Sequence, residues 1–90
     1  MEKEYVIKNV FRLSNGISVI ACEGRFTSLL EGHRAKLMVE NNIRQIITLI
    51  GSREIINWTE HKNQSAIETY DSILLTVEEA QSGQWSIVID

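Results

Sequence analysis

Apolar residues alternate with polar ones through most of this sequence, in short runs separated by turn-forming residues. In residues 4–13 one face is apolar and the other is charged: Tyr5, Ile7, Phe11 and Leu13 against Lys8 and Arg12. A period of two is typical of a half-buried β-strand. Asn15 and Gly16 follow, and Asn-Gly between two apolar runs predicts a hairpin because both residues tolerate positive φ.

The rest of the chain repeats this pattern of short β-like runs and breaks. Further strands are predicted at residues 17–22, 35–39, 43–50, 54–58, 66–70 (continuing into 73–75) and 85–89. A turn is predicted at residues 40–42, and Gly51-Ser52 is predicted to end the longest run. Because that run, residues 43–50, is apolar on both faces, we expect it to be central and covered on more than one side.

The stretch LLTVEEAQSGQWSIV, residues 74–88, predicts a short helix between two strands. Thr76 followed three residues later by Glu79 is a capping box, in which each side chain accepts a hydrogen bond from a backbone N–H of the first turn. Glu78 and Glu79 also lie where the helix dipole favours acids. Gly83 is suited to ending the turn. We therefore expect one helical turn near residues 76–81, leading into the last strand.

Six or seven short strands in 90 residues limit the possible architecture. Closing the sheet removes its exposed edges, which are otherwise prone to aggregate. The sequence therefore predicts an all-β fold: a small six- to seven-stranded closed or nearly closed antiparallel barrel. The chain is short enough that residues 1–90 are predicted to form a single domain.

Charge is unevenly distributed along the chain. The formal net charge is −3, which argues against general binding to nucleic acid or anionic membranes. Residues 1–62 contain 9 basic and 7 acidic residues, whereas residues 63–90 contain 5 acidic residues and no Lys or Arg. The C-terminal third is therefore wholly acidic. With one cysteine, no apolar leader and no apolar spanning segment, a cytoplasmic location is expected.

Few residues are of the types that carry out catalysis or bind metal ions. Cys22 with His33 or His61 is the one conceivable nucleophile–base set, but an isolated cysteine is more often a small buried residue. One Cys and two scattered His make a metal site improbable, and no cofactor motif is present. The adjacent carboxylates Glu78 and Glu79 are explained by the capping box. We therefore predict no enzymatic activity, no metal and no cofactor.

Two stretches carry a resemblance to a known family. CEGRFTSLLEGHRAKLM, residues 22–38, and LLTVEEAQSGQWSIV resemble the second-domain β-barrel of translation factors of the elongation factor Tu type, in a likeness spanning residues 17–88. The resemblance implies a barrel, and a tRNA-end pocket formed by an arginine and a glutamate. Arg53 matches the arginine, whereas Ile50 stands in place of the glutamate. The sequence has no P-loop, so the GTPase part of such factors has no counterpart here.

The leading functional hypothesis is a non-catalytic protein-binding module with an acidic surface. Opposite charge steers association, so the expected partner is a basic protein. One concrete version is an inhibitor or immunity protein of a bacterial competition system that neutralises a basic toxin. The predicted contact residues are the C-terminal acids: Glu68, Asp71, Glu78, Glu79 and Asp90.

Two alternatives remain. The first is a stand-alone translation-factor-like barrel that binds tRNA, the ribosome or a translation factor. It requires five basic residues to cluster on the surface: Arg25, Arg34, Lys36, Arg44 and Arg53. The second is a small hydrolase that uses Cys22 as its nucleophile.

Overall fold

The computed structural model describes residues 3–24, 31–55 and 64–89. These residues form six strands and one short helix in the order β1 (Lys3–Arg12), β2 (Ser18–Glu23), β3 (Arg34–Val39), β4 (Asn42–Ile55), β5 (Gln64–Thr69), α1 (Val77–Gln81) and β6 (Ser86–Ile89).

The six strands form a ring. Each pairs with two antiparallel neighbours in the order β1-β2-β5-β4-β3-β6, and β6 returns to β1. The predicted all-β, nearly closed antiparallel barrel is confirmed, with six strands and one short helix. The ring consists of two sheets. Sheet A comprises β6, β3 and the first halves of β1 and β4, and sheet B comprises β2, β5 and the second halves of β1 and β4.

Strand β4 belongs to both sheets. It pairs with β3 up to Thr48 and with β5 from Leu49 onwards, and the register shifts between Leu49 and Gly51. The prediction that Gly51-Ser52 ends the strand is therefore wrong, because these residues continue β4 through a bulge that turns it into the second sheet. Of the separate strand predicted at 54–58, residues 54–55 are the end of β4, and 56–58 lie outside the described residues.

Strand β1 changes sheets in the same way. It pairs with β6 up to Val6 and with β2 from Ile7 onwards, with a register shift between Ile7 and Asn9. The Asn9 side chain accepts a hydrogen bond from the N–H of Val10 (2.9 Å) at this irregularity. The shift reverses the alternation, so Val10 is buried and Phe11 is 45% exposed. Phe11 therefore does not share the interior face predicted for it.

The interior of the ring is filled by aliphatic side chains from all six strands. Its fully buried members include Ile7, Ile20, Leu37, Ile47, Leu49, Ile67 and Ile87. The predicted burial of both faces of residues 43–50 is not found. Ile47 and Leu49 point inward, whereas Ile43 is 50% and Ile46 is 57% exposed.

Two tight turns join neighbouring strands. Residues 14–16 connect β1 to β2, confirming the predicted hairpin, but of Asn15 and Gly16 only Gly16 has a positive φ (85°). The Asn15 side chain instead accepts from the N–H of Ile17 (3.2 Å). Glu40 and Asn41, with φ of 49° and 68°, form the turn between β3 and β4. Two consecutive left-handed residues are typical of a type I′ hairpin turn.

Among the strands of the described ranges, none lies beside one edge of the first half of β4, whose other edge pairs with β3. Leu49 exchanges backbone hydrogen bonds with Gly32 and His33 on the β3 side, so by alternation the backbone groups of Thr48 and Ile46 face the opposite edge. The backbone N–H and C=O of Thr48 form their hydrogen bonds with two side chains. Its N–H donates to Asp71 Oδ2 (2.8 Å), and its C=O accepts from the Thr69 hydroxyl (2.7 Å).

The segment between β5 and β6, residues 70–85, runs past this edge and is called here the β5–β6 connection. The Gln45 amide donates to Ser72 C=O and accepts from Leu74 N–H (3.0 Å). Residues 73–75, predicted as strand, belong to no strand because these bonds come from a side chain. The predicted helical turn is confirmed: the capping box of Thr76 and Glu79 is present, and Gly83 leaves the helix with φ 79°. The one helix of the described ranges is too short to cross a membrane.

Thr69 provides a test of how the open edge is sealed. Thr69→Val preserves shape but leaves Thr48 C=O and the N–H of Asp71, which donates to the Thr69 hydroxyl (3.1 Å), without that partner. Because Thr69 is fully buried, we expect a loss of about 1–3 kcal/mol in the free energy of unfolding, measured by urea denaturation.

The matched control is Thr48→Val. Thr48 contributes its backbone to these bonds while its own side chain is exposed, so the change is expected within about 0.5 kcal/mol. Equal losses in the two variants would contradict the assigned role of the Thr69 hydroxyl.

Candidate functional site

Large apolar side chains are exposed along the β5–β6 connection. Tyr70 is 66% exposed, Leu74 59% and Val77 50%. Phe11, which the β1 register shift turns outward, is a fourth at 45%. Four of the six large hydrophobic residues that are exposed among the described residues therefore lie on the connection or, in the case of Phe11, on β1.

A groove separates the connection from β1. It has a volume of about 200 Å³ and is lined by Val10, Phe11, Arg12, Ser18, Ser72, Ile73, Leu75 and Val77. The lining is largely apolar, with one guanidinium and two hydroxyl groups among it. The shape and lining suit the insertion of one aliphatic or aromatic side chain.

The predicted acidic residues lie on β5 and on the connection. Glu68 is half-buried on β5, where Val19 and Gly51 are its neighbours across the sheet. Asp71 accepts from the N–H of Thr48, and Glu78 is exposed in the first turn of α1. Asp90 lies outside the described residues. The four described acids thus lie in neighbouring segments of the chain, but they differ in the groups that they contact.

Glu79 is committed to contacts within the chain. Both of its carboxylate oxygens accept from Arg44 Nη1 (2.8 and 2.7 Å), and Oε1 also accepts from the N–H of Thr76 (3.0 Å). The bond from the Thr76 backbone and the guanidinium of Arg44 lower the pKa of Glu79 below its usual 4.5. Glu79 is therefore charged at neutral pH, and Arg44 offsets that charge.

Arg44 joins three parts of the connection. Its Nη1 also donates to Leu74 C=O (3.2 Å), and its guanidinium carbon lies 4.3 Å from the ring centroid of Trp85. This is a cation–π geometry. Trp85 is 5% exposed, and its C=O accepts from Ile7 N–H (2.9 Å). Arg44 thus ties Leu74, Glu79 and Trp85 of the connection to β4.

The structure describes only some of the five basic residues on which the RNA-binding alternative depends. Arg34 and Lys36 lie on the outward face of β3, and Arg44 is held by Glu79 and Trp85. Arg25 lies outside the described residues, as does the side chain of Arg53. The structure brings Arg34 and Lys36 together, two positions apart on one strand, with Arg44 at the edge of the same sheet.

Cys22 is fully buried in the core, and its thiol donates weakly to Ile20 C=O (3.8 Å). Burial raises the pKa of this thiol to about 12. A nucleophilic cysteine needs its thiolate form and access to substrate, and Cys22 has neither at neutral pH. His33 is exposed, and His61 lies outside the described residues. No group of three or more His, Cys, Asp or Glu in the described ranges is placed to hold a metal.

Comparison with known proteins gives no relative. No family model matches the chain, and neither a curated protein nor a solved structure matches it.

The sequence does not predict the apolar half of this surface. Its period of two places Phe11 in the interior and Leu74 in a strand. One local signal exists for Phe11: Asn9 is a poor strand former in the middle of β1, and such residues often mark irregularities in a strand. No comparable signal identifies the groove, because it arises from packing of the connection against β1.

The contacts of Glu79 predict a specific pH dependence of stability. Its pKa is lowered in the folded state, so its contribution is fully present above the pKa of the unfolded chain and is lost as pH falls through the folded value. We expect the stability difference between the native protein and Glu79→Gln to shrink from about pH 6 to about pH 3.

Urea denaturation at each pH measures this difference. Glu78→Gln removes the same charge from the neighbouring position and is the control. An equal decline for both variants would show that general charge, and not the bonds to Thr76 and Arg44, causes the effect.

Proposed function

We propose that this protein is a non-catalytic protein-binding module, and that its partner contacts the β5–β6 connection and the adjacent groove. The observation that carries the proposal is a groove lined by two exposed large apolar side chains, Phe11 and Val77, beside a connection that exposes two more, Tyr70 and Leu74. Clusters of exposed apolar residues rimmed by polar ones are typical of interaction sites.

The apolar part of this surface would supply most of the affinity. Aromatic and large aliphatic residues dominate the energetics of interfaces when a partner removes them from water. Phe11 and Val77 line the two sides of the groove, so an inserted side chain would contact both. The matching feature of the partner is an aliphatic or aromatic residue that projects from its surface.

The acidic residues would steer the encounter. Glu78 is exposed directly beside Val77 in the sequence. Asp71 lies at the start of the connection, and Glu68 lies on β5 just before it. Glu79 contributes less because Arg44 offsets its charge. Arg12, which lines the groove, adds a positive charge there. Since residues 63–90 contain no Lys or Arg, the partner that complements them has Lys or Arg around its projecting apolar residue.

A specific form of this proposal is an inhibitor or immunity protein that covers the nucleic-acid site of a basic toxin. The acidic C-terminal third supports it, because a toxin that binds nucleic acid presents a basic face.

The alternative is a barrel that binds tRNA, the ribosome or a translation factor. Its support is the placement of Arg34 and Lys36 on one face of β3. A complex that dissociates after nuclease treatment, and whose affinity falls steeply as the salt concentration rises, would favour this alternative.

The first experiment captures complexes of the tagged protein from its own cells, with and without nuclease, and identifies the bound protein. The affinity of that purified protein is then measured for two variants. Val77→Asp removes an apolar contact while placing an acid where the first turn of α1 favours it, and Glu78→Gln removes one exposed charge. We expect Val77→Asp to weaken binding by about tenfold or more, and Glu78→Gln mainly to slow association.

Glu40→Asn is the matched control. Glu40 is an exposed acid in the β3–β4 turn with φ of 49°, a conformation that Asn adopts readily. This change removes the same charge at a site outside the proposed surface and should leave affinity unchanged. Equal effects of Glu40→Asn and Glu78→Gln, or full affinity in Val77→Asp, would contradict the proposal.

A further inference from the structure

The groove between the β5–β6 connection and β1 lies at the mouth of the barrel. The last paired row of sheet B at this end comprises Arg12, Ser18, Thr69 and Leu49, on β1, β2, β5 and β4. Ser18, Thr69 and Leu49 are buried. Arg12 follows the buried Val10 by two residues, so its side chain leaves β1 on the interior side and lies over the mouth, where it lines the groove.

Two hydroxyl groups in this row differ in their hydrogen bonds. The Thr69 hydroxyl donates to Thr48 C=O (2.7 Å) and accepts from the N–H of Asp71 (3.1 Å). The Ser18 hydroxyl has no hydrogen-bond partner in the described segments, although Ser18 is only 3% exposed. Every fully buried side-chain N or O atom of these segments does have a partner, so the Ser18 hydroxyl opens onto the groove that this residue lines. A nearly enclosed hydroxyl without a partner is suited to bind a polar group of a ligand.

The Arg12 guanidinium is a second polar group at the groove that has no partner within the described part of the chain. Its side chain is exposed and forms no ion pair or hydrogen bond there, whereas Arg44 is held by Glu79 and Leu74. Because Arg12 and Ser18 are directly paired across β1 and β2, their side chains are neighbours on one face of the sheet. One ligand can therefore reach both groups.

The polar side chains of the groove can all donate hydrogen bonds. A guanidinium has five N–H donors and no acceptor, and a serine hydroxyl donates one hydrogen. The other lining residues are apolar: Val10, Phe11, Ile73, Leu75 and Val77. The ligand that matches this combination has an apolar group close to a carboxylate, because a carboxylate accepts from both donors and carries the charge opposite to that of Arg12.

We propose that the groove binds the C-terminal residue of a partner polypeptide, with its apolar side chain between Phe11 and Val77 and its α-carboxylate bound by Arg12 and Ser18. This inference rests on the proposed function and specifies which part of the partner enters the groove. Within a polypeptide, only the last residue carries an apolar side chain and a carboxylate on the same carbon atom. Capture of a C-terminal carboxylate is a recurrent mode of peptide recognition.

Size and charge both favour the end of a chain over a free small molecule. The groove volume of about 200 Å³ is below the roughly 300–1,000 Å³ of pockets that enclose drug-sized ligands, so one residue fits while the preceding ones lie outside. Outside the groove, Glu78 is exposed next to Val77 in the sequence, and residues 63–90 contain no Lys or Arg. The partner residues that precede the C-terminus are therefore basic.

A short peptide tests this assignment directly. The probe is a peptide of Gly, Ser and Lys that ends in Leu with a free α-carboxylate, and a second probe has the same sequence with a C-terminal amide. Titration into isotope-labelled protein, followed by NMR at the amides of Ser18, Ile73 and Val77, measures both affinities. We expect a Kd of about 1 mM or below for the acid peptide. The amide should bind at least about tenfold more weakly, because it loses the charge-assisted hydrogen bonds.

Two variants show which groups bind the carboxylate. Arg12 is exposed and the Ser18 hydroxyl bonds to nothing in the described ranges, so Arg12→Gln and Ser18→Ala should both fold. We expect Arg12→Gln to weaken the acid peptide about tenfold and leave the amide unchanged, and Ser18→Ala to weaken the acid peptide roughly threefold. Arg34→Gln is the matched control. It removes the same charge from an exposed position on β3 and should keep the full preference for the acid.

Several results would overturn the proposal. The acid peptide causes no shifts up to about 5 mM, or the amide binds equally well. Arg12→Gln keeps the preference for the acid, or Arg34→Gln loses it. Hexanoate binds as tightly as the acid peptide, which would identify a small carboxylic acid as the occupant instead.

The captured partner separates this inference from the function on which it rests. A Gly-Gly extension after its last residue moves the carboxylate away from Arg12 and should weaken binding about tenfold or more. If Val77→Asp weakens binding and the extension does not, the inference fails and the proposed function stands. If neither change weakens binding, both fail.

Discussion

The structure depends on how the open edge of β4 is sealed. A ring of only six strands closes because β1 and β4 each belong to two sheets. The first half of β4 pairs with β3 on one edge, and on the other edge no strand of the described residues lies beside it. Backbone groups at such an edge need partners. At Thr48 the partners are two side chains, the carboxylate of Asp71 and the hydroxyl of Thr69, and next to it Gln45 and Arg44 bind the backbone of the connection.

This solution determines what the surface can offer. The connection must run along β4 as irregular chain and then as one helical turn, so its own apolar residues, Leu74 and Val77, remain in solvent. Its acids divide into two groups. Asp71 and Glu79 hold the connection in place, whereas Glu78 projects outward. The segment that completes the barrel is therefore also the one that presents the proposed binding surface.

The sequence predicts those features that local chemistry determines. The capping box of Thr76 and Glu79, the Asn15-Gly16 hairpin and the barrel class all follow from nearest neighbours and a period of two. It does not predict the sheet changes, because Gly51 looks the same whether it ends a strand or forms a bulge within one. Phe11 is misplaced for the same reason: one register shift reverses every later side chain in the strand.

Amide hydrogen exchange tests the sealing of the edge most directly. Thr48 and Ile46 face the same edge, but the N–H of Thr48 donates to Asp71, whereas no group in the described part of the chain accepts from the N–H of Ile46 outside the strand pairing. The account predicts that the Thr48 amide exchanges at least about tenfold more slowly than the Ile46 amide, and that Asp71→Ala removes the difference. Equal exchange rates at the two positions in the native protein would contradict it.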